Sequence, residues 1–204
     1  MVGEVTLRER KKIRTRRALV DAATRLFAEK GYAETTVAEI AAEAEVSTKT
    51  FFNYFPSKEE VLFADTAQRM SLALRIIAEP EPGETAPALL LRMTDHIIGL
   101  IRDDALDIGV PTARLRIKLV NSEPALQGRA QQLIINGQLH LARALADVYP
   151  EIDEITAAGM VGAFLGAAQA TVIASLNRGD DIEVAIDAGR VAIAMVLRGL
   201  DGVL

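Results

Sequence analysis

Residues 47–54, Ser-Thr-Lys-Thr-Phe-Phe-Asn-Tyr, gather the side-chain types that read DNA bases. A lysine can donate to guanine edges, an asparagine can pair with adenine, and a threonine methyl or the Phe52 ring can touch a thymine methyl. Phe51 and Phe55 are four residues apart and form one face of a helix. Thr48, Lys49, Thr50, Phe52, Asn53 and Tyr54 fall on the other side. Ser47 is a suitable cap for the start of this helix. Pro56 ends it, because proline lacks an N–H and disfavours a helical residue before it. Tyr54 and Lys58 sit at helix ends, where phosphate contacts are made, and Lys58 adjoins a helix N-terminus that already favours anions.

A base-reading helix needs a partner that sets it against the duplex. Thr36 and Glu39 have capping-box spacing, and Val37, Ile40, Ala41 and Ala44 recur at one helical face. Glu45-Val46-Ser47 breaks the first short helix from the second. Two short helices joined by about three residues, the second with a polar and aromatic outer face, suit the major groove. Ser57 and Glu60 repeat the capping-box spacing and predict a longer helix over 58–78. Upstream, residues 8–17 carry seven basic side chains and one acid. This stretch runs into a helix marked by Leu19, Ala22, Ala23, Leu26 and Phe27 and closed by Gly31. Such an arm suits phosphate or minor-groove contact, with Arg14 and Arg17 as its candidates. On pattern alone two alternatives stay open. The hairpin could be any helical pair with a solvated face, and the arm a disordered tail; Met1 to Leu7 show no clear periodicity and are expected to fray.

The same residues resemble the N-terminal domain of the TetR family of bacterial transcriptional regulators. The resemblance rests on ALVDAATRLFAEKGY at 18–32, GYAETTVAEIA at 31–41 and AEVSTKTFFNYFPSKEEVL at 44–62, nearly all of the first 65 residues. The run Val46–Glu59 is more specific than a generic helix-turn-helix. Two departures stand out. Glu45 occupies the turn position where the family usually has glycine, and Ala38 replaces a polar or basic residue that faces DNA in many relatives. The resemblance implies a homodimer on a near-palindromic double-stranded operator, and a small-molecule effector that releases it. It also implies that the helix after the DNA reader links it to the body.

The bulk numbers fit an all-α protein. Half of the 204 residues are apolar and only 4% are aromatic, with no tryptophan. Alanine, leucine and isoleucine do the packing, which favours helices. Net charge is −5, yet residues 1–58 hold 11 Lys/Arg against 8 Asp/Glu, and the remainder holds 12 against 20. A basic end on an acidic body keeps one end on the duplex and the rest away from it. There is no cysteine, hence no disulfide or thiolate metal site. The charged N-terminus is unlike a secretory signal, so the expected location is cytoplasmic.

The expected organisation is an N-terminal three-helix DNA-binding domain over 1–57 and a larger helical bundle over 58–204 for ligand binding and dimerisation. Residues 79–87 are proline-rich and form a loop; helices follow at 88–102, from Pro111 to about Asn121, and from Pro124 to about Val148, with a loop or broken helix over 103–110. Polar or bulky residues within apolar helices suggest a pocket lined by Met93, His96, Arg114, Gln138, Phe164 and Gln169. His96 is equally readable as a structural residue, and the polar side chains of the 124–148 helix as solvent-facing. Apolar packing favours a hydrophobic ligand over a sugar or nucleotide.

Residues 155–176 carry no charge and include Gly162 and Gly166 in a GxxxG spacing. Their length would span a bilayer, but they are rich in Ala and Gly and lack an aromatic belt, so no membrane insertion is expected. With the helix at 182–199 they form the predicted dimer interface, two helices from each subunit over about 152–177 and 182–199. No catalytic residues, metal site or cofactor are expected: two histidines stand far apart, with no HExxH and no phosphate-binding glycine loop. The alternative to a ligand-responsive regulator is an architectural protein that binds DNA without regard to sequence.

Overall fold

The computed structural model describes residues 6–103 and 110–200, and among them the only regular structure is helical. The N-terminal part begins with α1, Leu7–Lys30. Thr6 accepts the Glu9 backbone N–H at 3.2 Å while Glu9 takes the Thr6 N–H at 2.8 Å, so a capping box starts the helix. The basic stretch 8–17 is therefore the first half of α1 rather than a disordered arm. Leu19, Val20, Ala22, Ala23 and Phe27 bury one face of the second half. Gly31 closes it at φ 89°, ψ 161°, a region open essentially to glycine alone.

Helix α2, Val37–Glu43, is capped by Thr36 with Glu39, at the predicted spacing. It ends in a turn where Val46 N–H reaches Ala41 O at 2.9 Å and Glu45 N–H reaches Ala42 O at 3.0 Å. These are the paired bonds of a Schellman motif, and its left-handed position is filled by Glu45 at φ 54°. Helix α3, Thr48–Tyr54, is capped by Ser47 and stops at Phe55, which is extended before Pro56.

The continuous helix predicted over 58–78 is interrupted. Glu59–Phe63 is a 3₁₀ turn, and α4 runs from Thr66 to Ala78. Val61, Leu62, Phe63, Ala64 and Asp65 are five consecutive buried residues. An α-helix lying on one surface spreads five consecutive side chains all round its axis, so it cannot bury them all there. The capping box expected at Ser57 does not form. Glu60 instead receives two bonds from Arg129, at 2.5 and 3.1 Å.

The body comprises α5 (Ala86–Arg102), α6 (Val110–Ser122), α7 (Pro124–Val148), α8 (Glu154–Arg178) and α9 (Ile182–Leu200). The proline-rich loop lies where expected; the loop expected at 103–110 lies almost wholly outside the described residues. Two cores form. One joins α1, α2, α3 and the 3₁₀ turn, and it includes Leu119 of α6 and Leu126 of α7. The other joins α4, α5, α7, α8 and α9 around Leu89, Leu145, Val161 and Phe164. The N-terminal part thus shares its apolar interior with the body.

Candidate DNA interface and effector cavity

The α2–turn–α3 unit is positioned from beneath. Phe51 and Phe55 are buried, with ring centroids 5.8 Å apart, and Ile40 and Ala41 of α2 are buried in the same core. This packing leaves Ser47, Thr48, Lys49, Phe52 and Asn53 exposed, with Thr50 and Tyr54 half-buried beside them. Phe52 stands 55% exposed, edge-on to Phe51 at 5.5 Å. A large apolar ring is thus left in water on the same face as Lys49 and Asn53. Thr36 is exposed at the N-terminus of α2, where it serves as the cap. Ala38 is exposed on the same helix and offers DNA no polar group.

Glu39 is held in place by Thr36 and Lys30. The bond from Lys30, then that from Thr36, pulls its carboxyl down from 4.5 to about 2. Arg14 is exposed on the basic half of α1; Arg17 is half-buried and already engaged within the chain.

Lys58 is already engaged within the chain. It is not a free cation at a helix start. Its ammonium donates to the carbonyls of Tyr32 and Thr35 at 2.7 and 2.9 Å and lies 4.2 Å from the Tyr32 ring centroid. The Tyr32 hydroxyl donates to Glu59 at 2.7 Å. Burial, then this bond, push the phenol well above its usual range. Lys58, Tyr32 and Glu59 together latch the α1–α2 loop to the 3₁₀ turn. A second brace also escaped the sequence reading. Arg16 donates to Ala64 O at 2.5 Å and lies 4.6 Å over the Phe55 ring. Basic residues near a DNA reader look alike in sequence; only long-range partners separate a brace from a phosphate contact.

In the body, a cavity of about 500 Å³ opens between α4, α5, α6, α7, α8 and α9. Of the residues singled out in the sequence, Met93, Phe164 and Gln169 line it. His96, Arg114 and Gln138 do not. The cavity face of α5 is Met93, Thr94, Ile97, Ile98 and Ile101, and the turn of the helix carries His96 away from it to an exposed position. On α6 it is Arg116 that lines the cavity, while Arg114 is exposed. On α7 the cavity side is Leu133, Ile134, Gly137 and Leu141, which leaves Gln138 outside. The walls are mostly aliphatic, with a polar end at Thr66, Arg69, Arg116 and Asn121.

Among the described residues, the last two helices leave one face exposed. On α8 the exposed positions include Ile155, Gly159, Ala163, Gly166, Ala170 and Ala174, and on α9 Val184, Val191 and Met195. Ile155 is 86% and Met195 70% exposed. A Cβ added at Gly159, Gly162 or Gly166 would meet nothing within 4 Å. By length and composition α8 could also cross a membrane, but Met160, Val161 and Phe164 are committed to the body core.

Comparison with known proteins supplies independent evidence. The family model described as bacterial regulatory proteins, tetR family, matches residues 19–64. The regulator TcmR of Streptomyces glaucescens is 33% identical over 142 residues, which is 69% of this chain and 62% of that protein, less than two thirds of its length. Among solved structures, GusR of Salmonella enterica superposes with a TM-score of 0.57 at 21% identity, covering 97% of this chain and 96% of that one. FadR of Thermus thermophilus, a transcriptional repressor solved with lauroyl-CoA, superposes with a TM-score of 0.50 at 22% identity, covering 87% and 92%.

Proposed function

Because this chain belongs to the TetR family of bacterial transcriptional regulators, we propose that it is a ligand-responsive repressor that acts as a homodimer on a near-palindromic operator. The observation that carries this is the outer face of α3, where Thr48, Lys49, Phe52 and Asn53 are exposed together on a helix clamped from below by Phe51 and Phe55. Lys49 and Asn53 read base edges, Phe52 and the threonine methyls meet thymine, and Ser47, Thr50 and Tyr54 contact the flanking backbone. Thr36, Arg14 and Arg17 add backbone contacts. The third N–H of Lys58 remains for a phosphate while its other two hold the loop.

The uncharged faces of α8 and α9 pair with their copies in a second subunit. A monomer rarely exposes so continuous an apolar face, and small side chains let two helices approach closely. The symmetry axis then sets the spacing of the two α3 helices on the duplex. The 500 Å³ cavity is of the size that holds a small molecule, and its apolar walls support a hydrophobic effector. The lauroyl-CoA of the Thermus structure belongs to a protein that shares only the fold. Domain roles divide as 1–57 for DNA and 58–204 for ligand and dimer, and the protein works in the cytoplasm.

Fluorescence anisotropy of the purified protein against DNA flanking its own gene, beside a scrambled duplex, at two salt concentrations, tests this. Tighter binding to the flanking DNA at both salts is expected. Equal, salt-sensitive binding to every duplex tried would point instead to an architectural protein.

A further inference from the structure

The polar end of the cavity carries an unbalanced charge. Asp65, which immediately precedes α4, is 1% exposed and faces two guanidinium groups. Arg116 donates to its Oδ1 at 2.8 Å and more weakly to Leu62 O at 3.4 Å. Arg69 Nε lies 2.8 Å from Oδ2, yet the angle is wrong for a hydrogen bond, and both atoms are buried without one. The third arginine of the cavity, Arg190, is already matched by two bonds to Asp95, at 2.5 and 2.8 Å. Two guanidinium groups thus share one carboxylate at the end of an aliphatic cavity, an excess of one positive charge. The buried Arg69 Nε is left without a hydrogen bond, which is costly until an acceptor reaches it.

We propose that the cavity takes an organic monoanion, an apolar body with one anionic head group, and that Arg69 and Arg116 receive the head. This rests on the cavity being the effector site. It also supplies a route to the DNA. Arg116 of α6 holds Leu62 and Asp65, the residues that join the DNA reader to α4. An anion that draws Arg116 and Arg69 toward the cavity competes with Asp65 for them and loosens α6 from the start of α4. The ligand therefore has different affinity for the tied and untied states, as any effector must. Burial first, then repulsion from Arg116, lowers Arg69 from 12.5 to about 10, in keeping with the excess positive charge.

The full-length protein can be titrated with two fluorescent probes of the same aromatic body, the anion 1-anilinonaphthalene-8-sulfonate and the neutral N-phenyl-1-naphthylamine. The anion should bind about tenfold tighter or more, the range of a charge-assisted hydrogen bond. Arg69→Met should abolish that preference while keeping the neutral probe's affinity. Asp65→Asn, which raises the excess charge, should widen it, and so tests the idea even if the first variant folds poorly. Equal binding of the two probes to the wild type, or a preference indifferent to both substitutions, would overturn the assignment. Probe binding is read without DNA, so loss of operator binding would count against the regulator reading alone.

Discussion

At the scale of single residues, α3 separates reading from support. Asn53→Ala or Lys49→Ala should weaken binding to the operator by about 1–3 kcal/mol and relax its base preference, with the melting temperature unchanged, because both side chains are exposed. Anisotropy titrations and thermal melts on the same preparations check both halves of that statement. Glu45 offers a sharper test. A side chain in the left-handed region costs about 1–2 kcal/mol, and glycine there gives back part of the gain through the freedom of its unfolded chain. Glu45→Gly should therefore raise stability by about 0.5–1 kcal/mol, read as a higher urea midpoint at unchanged slope. The departure at Glu45 was visible in the sequence, and so was every residue on the outer face of α3, because a helix of seven residues fixes its faces by local spacing alone. Lys58 and Arg16 were not legible. Their partners, Tyr32, Thr35 and Ala64, lie 23 to 48 residues away in the chain.

At the scale of elements, composition revealed α8 and α9 but not their arrangement. The uncharged run marked α8, and its caps at Asp153 and Gly179 fall near the predicted ends. What spacing could not show is the sorting of its faces, with Met160, Val161 and Phe164 turned inward and Gly159, Ala163 and Gly166 outward. Gly162→Leu and Gly166→Leu test the outward face. A Cβ added at either position meets nothing within 4 Å inside the subunit, and leucine favours a helix over glycine by roughly 0.5–1 kcal/mol. The expected result is a monomer that melts no lower than the wild-type subunit, with sedimentation velocity reporting the loss of the dimer. The interrupted helix at 59–65 was illegible for a related reason. Its apolar residues suit an amphipathic helix until α6 and α7 arrive to bury the other sides.

At the scale of the whole molecule, the DNA half is completed by the body. Leu126 of α7 is fully buried in the core that includes Phe51 and Phe55. Leu126→Ala should cost about 2–5 kcal/mol, and the loss should appear in faster amide exchange within α1 and α3 as well as in α7. If exchange rises in α7 alone, the two halves are less coupled than their shared core implies. The cavity belongs to this scale too. Six helices contribute to it, and the residues singled out in the sequence that line it, Met93, Phe164 and Gln169, lie on α5 and α8. Arg69 and Arg116 were passed over because each looks like an ordinary surface arginine until Asp65 is placed between them.

The first half of α1 has no apolar partner: Leu7 to Arg14 are all exposed. Five of those eight side chains are cationic. Repulsion among them opposes the helix, and short helices of this kind are marginal in water unless something nucleates them. The packed second half supplies that nucleus. The basic half is then a segment whose winding responds to ionic strength, fraying as salt is withdrawn and tightening as counterions or phosphates crowd in. Contact with a duplex would raise helix content there, so circular dichroism should register DNA binding as a gain of helix that added salt partly mimics.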